Sequence, residues 1–172
     1  MVWIGLGANV GPARSTLARA CALLDEGPLR LLEVSALYAS RPMGPADQPD
    51  FLNAAACLAS SVGLRTLLDR VKAVELRLGR LPRQRWRERE VDVDLLLAAE
   101  DGPCAAQAES PGLRLPHPGL WERSFVIAPL LDLAATMDRD LVKELTQAGC
   151  RLEADAPGAV WRVEEAGWFR NS

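Results

Sequence analysis

The stretch GLRTLLDRVKAVELRLGRLPRQRWREREVDVDLLLA, Gly63–Ala98, joins a helix to a strand, and its reading decides the fold. Leu64, Leu67, Leu68, Val71, Val74 and Leu78 recur at helical spacing, while Arg65, Asp69, Arg70, Lys72, Glu75 and Arg77 fill the remaining, solvated positions. Gly79 ends the helix, because a residue without Cβ is the one that turns the chain out of a last helical turn. An arginine-rich segment follows. VDVDLLLA then alternates before closing in leucine, as a strand does on entering a core.

Upstream, LRLLEVSALYAS reads as one strand and FLNAAACLASSV as another. Between them RPMGPADQPD, with three prolines in ten residues, must be a loop, since proline cannot donate to a ladder and also restricts its predecessor. A loop of that length is long for a hairpin, and long loops are disproportionately functional. Val2–Ala8 reads as a buried strand and ANVGP as a turn with a first-turn proline, Pro12. The helix that follows sets Leu17, Ala20, Cys21 and Leu24 on one face. The order β-α-β-β-α-β is the split βαβ arrangement of ferredoxin-like α+β folds. A helix near Asp140–Ala148 and an edge strand in AVWRVEE are expected to be appended to that core.

The 172 residues fit one domain, 1–172, able to remove roughly 70% of its unfolded-chain surface from water. With 49% hydrophobic and 25% charged residues the chain reads as an ordinary soluble protein. A net charge of −3 gives no global field to hold nucleic acid or an anionic membrane, so any anion affinity is local. Cys21, Cys57, Cys104 and Cys150 are scattered and share a single histidine, which argues against a zinc site or a disulfide framework and suits the cytoplasm. The N-terminus lacks a signal-peptide pattern, and VIAPLLDLAATM is too short and too interrupted to span a bilayer.

The opening stretch also bears chemistry. On a strand Asp92 and Asp94 share one face, with Cα atoms about 6 to 7 Å apart, and Val91, Val93 and Leu95 take the other. Two carboxylates that close repel unless a cation lies between them, and a hard cation such as Mg²⁺ suits oxygen ligands. The plainer reading is an acidic solvent face on a half-buried strand. Arg80, Arg83, Arg85, Arg87 and Arg89 lie just upstream, and guanidinium forks suit bidentate phosphate contact. Arginines beside Mg²⁺-holding carboxylates would form a phosphoryl-transfer site; otherwise they line a solvated loop partly neutralised by Glu88 and Glu90. Trp86 either stacks on a nucleotide base or covers the core edge. Gly5, Gly7 and Gly11 miss the GxGxxG spacing, and no GxxxxGK[ST] occurs. On its own chemistry His117, between two prolines, reads as structural or exposed.

Four separated segments resemble, in kind and order, the 6-hydroxymethyl-7,8-dihydropterin pyrophosphokinase family of folate biosynthesis. They are GLGANVG at Gly5–Gly11, GPADQPDFLNA at Gly44–Ala54, DVDLLL at Asp92–Leu97 with the arginines before it, and LPHPGLWERSFVIAPL at Leu115–Leu130. The resemblance covers roughly the first 135 residues. It implies a ferredoxin-like α+β fold, and transfer of the β,γ-pyrophosphoryl group of ATP to the pterin hydroxymethyl oxygen with release of AMP. It also implies two Mg²⁺ ions held by Asp92 and Asp94 and a catalytic group of Arg80, Arg89, Asp92 and Asp94. For the pterin it implies Ser40, Pro42, Met43, Phe51, Asn53 and Phe125, with the two phenylalanines on opposite ring faces and Asn53 at the ring edge. For ATP it implies Glu75, Arg83, Arg85, Trp86, Arg89, His117 and Arg123. By residue type alone Phe51 and Phe125 read as core. The chain departs from the family pattern at Arg87, in place of a small residue, at Glu88, in place of proline, and at Lys72, in place of a glutamine.

Three functions are therefore weighed: the pyrophosphokinase, a paralogue that binds pterin or nucleotide without turnover, and a ferredoxin-like RNA-binding module. The acidic net charge, the few aromatics on the predicted strands and the aspartates where phosphate would approach disfavour the last. The expected partners are ATP and 6-hydroxymethyl-7,8-dihydropterin, with no nucleic acid and no membrane, for a cytoplasmic monomer.

Overall fold

A computed structural model describes residues 1–45, 47–81, 87–99, 108–152 and 159–171. In chain order these form β1 (Val2–Ala8), α1 (Ala13–Leu24), β2 (Leu29–Val34), β3 (Leu37–Ser40), β4 (Phe51–Ser60), α2 (Leu64–Arg77), β5 (Asp92–Ala98), β6 (Ala108–Ser110), β7 (Leu113–Leu115), α3 (Ser124–Asp132), α4 (Arg139–Arg151) and β8 (Val160–Glu164). The main sheet runs β5-β1-β4-β3-β8, with β2 also on β4, and every pairing is antiparallel. β6 and β7 form a separate hairpin. With β2 and β3 taken as one broken strand, the order β5-β1-β4-β2/β3 is that of the ferredoxin-like α+β core expected from the sequence.

LRLLEVSALYAS is two strands rather than one, and Ser35 is the reason. Its N–H donates to Ala55 O at 2.9 Å while its Oγ accepts from the Ala55 N–H at 2.9 Å and donates to Ala36 O at 2.7 Å, so a side chain takes a place in the ladder. Pro12 stands just before α1 rather than inside its first turn. The helix expected near Asp140–Ala148 is α4, capped by Asp138, whose carboxylate accepts from the Asp140 N–H at 2.8 Å. The edge strand expected in AVWRVEE is β8.

Alternation along the strands divides the core in two. Ile4, Leu6, Ala56, Leu58, Val93 and Leu95 face α1 and α2, whose Leu17, Cys21, Leu24, Leu67 and Val71 are fully buried against them. Trp3, Ala55, Cys57 and Leu96 face the other way, under Ile127 and Leu130 of α3 and Leu145 of α4. Each large aliphatic side chain removed from water in this way stabilises the fold by about 1.5 to 3 kcal/mol. The face of β5 that bears Asp92 and Asp94 is therefore no acidic solvent face, because it continues into Leu96 at 2% exposure. Nor is Glu75 on a solvated side of α2, where it too is only 2% exposed.

The C-terminal part is tied to the sheet. Arg14 Nε and Nη2 donate to the Glu164 carboxylate at 2.8 and 3.0 Å, and Trp168 Nε1 donates to Ser35 O at 3.0 Å. Tyr38 Oη donates to Asp132 at 3.0 Å, and Arg162 Nη2 donates to both Tyr38 Oη at 2.9 Å and Asp132 Oδ1 at 2.7 Å. Among the described residues no helix is long and apolar enough to cross a membrane.

Candidate active site

Where α3 and α4 stop covering the second sheet face, the strands line a cavity of about 530 Å³. Its floor is β1, and there Gly5 and Gly7 contribute no side chain. Gly7 pairs with Asn53 on one side and Asp92 on the other, and Gly5 pairs with Ala55 and Asp94. Cross-strand partners share a face, so bare backbone separates the carboxylates of β5 from the amide of β4. The spaced glycines of GLG, which match no dinucleotide motif, thus have a structural use in this strand.

Ser40, Met43, Phe51, Asn53 and Phe125 meet on the β4 side of the cavity. Asn53 Nδ2 donates to Ser40 Oγ at 2.9 Å, which fixes the amide. Phe51, at the start of β4, and Phe125, in the first turn of α3, are half-buried on the cavity wall rather than sealed in the core. Pro42 lies between the lining residues Arg41 and Met43 without lining the cavity itself.

Arg87, Arg89, Asp92, Asp94, His117 and Arg123 line the opposite side. Burial, then the neighbouring Asp94 charge, push the Asp92 carboxyl up to about 6, against the opposing pull of Arg80. Burial also lowers the His117 pKa, although Asp94 works the other way. The Gly119 N–H donates to His117 Nδ1 at 3.1 Å, so the neutral ring has its proton on Nε2. Arg80 and Glu75 do not line the cavity but lie beneath it. Arg80 Nη1 touches Glu75 Oε1 and lies 2.7 Å from Asp92 Oδ1. Burial works against the Arg80 cation, yet Asp92 and Glu75 outweigh it and its pKa is raised. Arg83, Arg85 and Trp86 lie outside the described residues.

One contributor was not singled out from sequence. Asn9, 6% exposed, accepts from the Arg89 N–H through Oδ1 at 2.8 Å and donates through Nδ2 to Pro49 O at 3.0 Å. One amide thereby holds the chain before β4 and the chain before β5; the available signal was a polar residue closing an apolar strand. Arg87, weighed from sequence with the other arginines, lines the cavity and lies 3.6 Å from Asp47, across from it in the loop before β4.

The donor set fits a hard divalent cation. Two carboxylates on one strand face, one with its proton affinity raised by the other, are relieved by a positive ion. Among the described residues no cluster of three or more His, Cys, Asp and Glu could hold a metal. Mg²⁺ commonly takes only one or two carboxylates and completes its shell with water and substrate phosphates.

An antiparallel α+β sheet that sets paired carboxylates and several cations beside an aromatic-walled recess has the build of a phosphate-transferring enzyme. The profile of the 7,8-dihydro-6-hydroxymethylpterin-pyrophosphokinase family matches residues 3–135, and the chain belongs to that family. It is 40% identical over 134 residues, 77% of this chain and 80% of the relative, to the 2-amino-4-hydroxy-6-hydroxymethyldihydropteridine pyrophosphokinase of Pseudomonas aeruginosa. To the protein of the same name from Bacillus subtilis it is 33% identical over 154 residues, covering 88% and 89% of the two chains. To the mitochondrial folate synthesis bifunctional protein of Arabidopsis thaliana it is 37% identical over 142 residues, 82% of this chain and 25% of the relative.

Proposed function

We propose that the cavity seats the pterin between Phe51 and Phe125, with Asn53 at the ring edge, and the ATP phosphates along Arg89, His117 and Arg123. The chain is a diphosphokinase of folate synthesis: it transfers the pyrophosphoryl group of ATP, with Mg²⁺, to the hydroxymethyl group of 6-hydroxymethyl-7,8-dihydropterin. The observation that carries the assignment of roles is the bare Gly5–Gly7 floor, flanked by Asn53 and by the Asp92–Asp94 pair.

In the transfer the hydroxymethyl oxygen bonds to the β-phosphorus, the bond from that phosphorus to the α,β-bridging oxygen breaks, and AMP departs with the bridging oxygen. The hydroxyl proton passes to solvent. Asp92 and Asp94 would hold two Mg²⁺ ions, which supply charge neutralisation along the phosphate chain. The chain's own residues act by positioning and electrostatics. The neutral His117 offers Nε2–H to a phosphate oxygen, Arg89 and Arg123 balance its charge, and the fixed Asn53 amide sets the pterin so that its hydroxymethyl arm points across the glycine floor. Arg80, anchored on Glu75, is a further cation for the triphosphate, and Ser40, Pro42 and Met43 frame the pterin loop.

Residues 1–172 are read as one pyrophosphokinase domain, a reading supported by β8, which brings the C-terminal part into the same sheet. The chain is read as a cytoplasmic monomer, and its net charge of −3 supports the part of that reading in which it needs neither nucleic acid nor an anionic membrane.

The test is AMP release from ATP in the presence of Mg²⁺ and 6-hydroxymethyl-7,8-dihydropterin. Activity should vanish in Asp92→Ala and Asp94→Ala, with a far smaller loss of nucleotide affinity. Nucleotide or pterin binding without any AMP from the wild-type chain would sink the reading.

A further inference from the structure

Arg80 uses one nitrogen for two carboxylates. Nη1 lies 2.7 Å from Asp92 Oδ1 and also touches Glu75 Oε1. The Glu75 end is fixed. That carboxylate is 2% exposed, and the same Oε1 accepts from Lys72 Nζ at 3.0 Å and from the Val93 N–H at 2.7 Å, which pins it to β5. The Asp92 end is looser, with side-chain exposures of 25% for Arg80 and 35% for Asp92, and Asp92 faces the cavity. Arg80 is therefore a cation tethered at one end and resting at the other on an oxygen that faces the substrates.

We propose that Arg80 is the resident counter-cation of Asp92, that a divalent metal must displace it from Oδ1, and that the displaced guanidinium, still held by Glu75, turns to the phosphate chain arriving with the metal. This rests on the reading of Asp92 and Asp94 as metal ligands and deepens it. A metal ion and a guanidinium cannot share one carboxylate oxygen without repelling each other, so metal entry competes with a cation whose effective concentration is set by its tether. A metal arriving alone removes the Asp92 partner and brings no new anion to replace it, leaving Arg80 with Glu75 alone. A metal arriving with a triphosphate supplies new oxygens within the same cavity, to which a guanidinium bonds as well as to a carboxylate. The exchange conserves ion pairs only when metal and nucleotide come together. Arg80 thus makes their binding cooperative, over and above any bond between metal and phosphate.

The experiment measures binding of Mn²⁺, as a paramagnetic stand-in for Mg²⁺, to the full chain by electron paramagnetic resonance. It is run with and without a non-hydrolysable ATP analogue. Without nucleotide, Arg80→Met should bind Mn²⁺ about five- to tenfold more tightly than wild type, because the competing cation is gone. The factor by which the nucleotide tightens Mn²⁺ should shrink in the same variant. A residue that merely held the fold would not improve metal affinity on removal. Should Arg80→Met fail to fold, Arg80→Gln, which keeps a donor for Glu75 without the charge, is expected to shift in the same direction. Unchanged or weakened Mn²⁺ binding in a folded Arg80 variant overturns the exchange. Asp92→Asn separates the two levels. If wild type with the analogue binds Mn²⁺ no better than Asp92→Asn, the carboxylate reading itself fails and the exchange with it. If Asp92→Asn loses Mn²⁺ while the Arg80 variants match wild type, only the exchange fails.

Discussion

Gly119 leaves no space for a side chain: a Cβ there would fall 2.5 Å from Arg123 Cζ. Gly119→Ala must push the guanidinium aside, and since a flexible side chain yields more cheaply than backbone, the fold should persist while Arg123 leaves the cavity wall where we propose it meets phosphate. The expected result is a rise of about tenfold or more in KM for ATP at a nearly unchanged melting temperature, read by steady-state kinetics and calorimetry. Gly7 differs, because its Cβ would lie 3.5 Å from Asn53 Oδ1, an ordinary contact. Gly7→Ala should fold normally yet fill the floor beside the amide, raising KM for the pterin and leaving that for ATP alone. Asp92 brings a pH dependence. With a folded pKa of about 6, above the usual carboxylate value near 3.9, the metal-free folded chain keeps a proton that the unfolded chain has released. That contribution to stability is fully present below the unfolded value and is lost as pH rises through about 6. If Asp92 holds Mg²⁺ as proposed, the ion needs the ionised form, so its affinity should fall as pH drops below about 6, which calorimetric titrations between about pH 5 and pH 7.5 would detect.

β3, α3 and β8 meet at Tyr38, Asp132 and Arg162, and α3 bears Phe125 at its other end. Asp132 also accepts from the Ala36 N–H at 3.0 Å. Asp132→Ala would strip partners from a backbone amide, a tyrosine hydroxyl and a guanidinium, and should cost about 2 to 3 kcal/mol in urea unfolding. Arg162→Met should cost much less than Asp132→Ala in the same measurement, since that side chain is exposed and screened. These elements also mark how far the sequence could be read. β1 and β4 were legible as short apolar runs bounded by turn and proline signals, β5 by an alternation that closes in leucine, and α2 by apolar residues at helical spacing. The break between β2 and β3 was not, since it depends on Ser35 bonding to Ala55, a partner set by register. Asp92 and Asp94 were legible as a pair but not as lying on a half-covered face, which depends on where α3 and α4 pack. Glu75 fitted the polar side of α2 by periodicity, and its burial follows from β5 crossing above it. Phe51 and Phe125 read as core by composition, and the walls of a cavity differ from core only in what the opposite side leaves open.

The family match ends at residue 135, yet the chain does not close its core there. Trp168 is 3% exposed, belongs to the same apolar cluster as α1 and α2, and donates to Ser35 O at the break between β2 and β3. Trp168→Ala should therefore cost about 3 to 5 kcal/mol, as for a fully buried large side chain elsewhere, with the loss seen in chemical denaturation. The build has helices on both faces of one sheet, and the cavity lies on the face of α3, whose Phe125 and Val126 line it. Asn9 follows β1, and its amide reaches both Pro49 and Arg89. The loop before β4 and the segment leading to β5 consequently cannot loosen independently, and the entropy lost in ordering one is already partly spent for the other. Each substrate should then prepare the protein for its co-substrate by an equal factor in either direction, with a single amide as the coupling element.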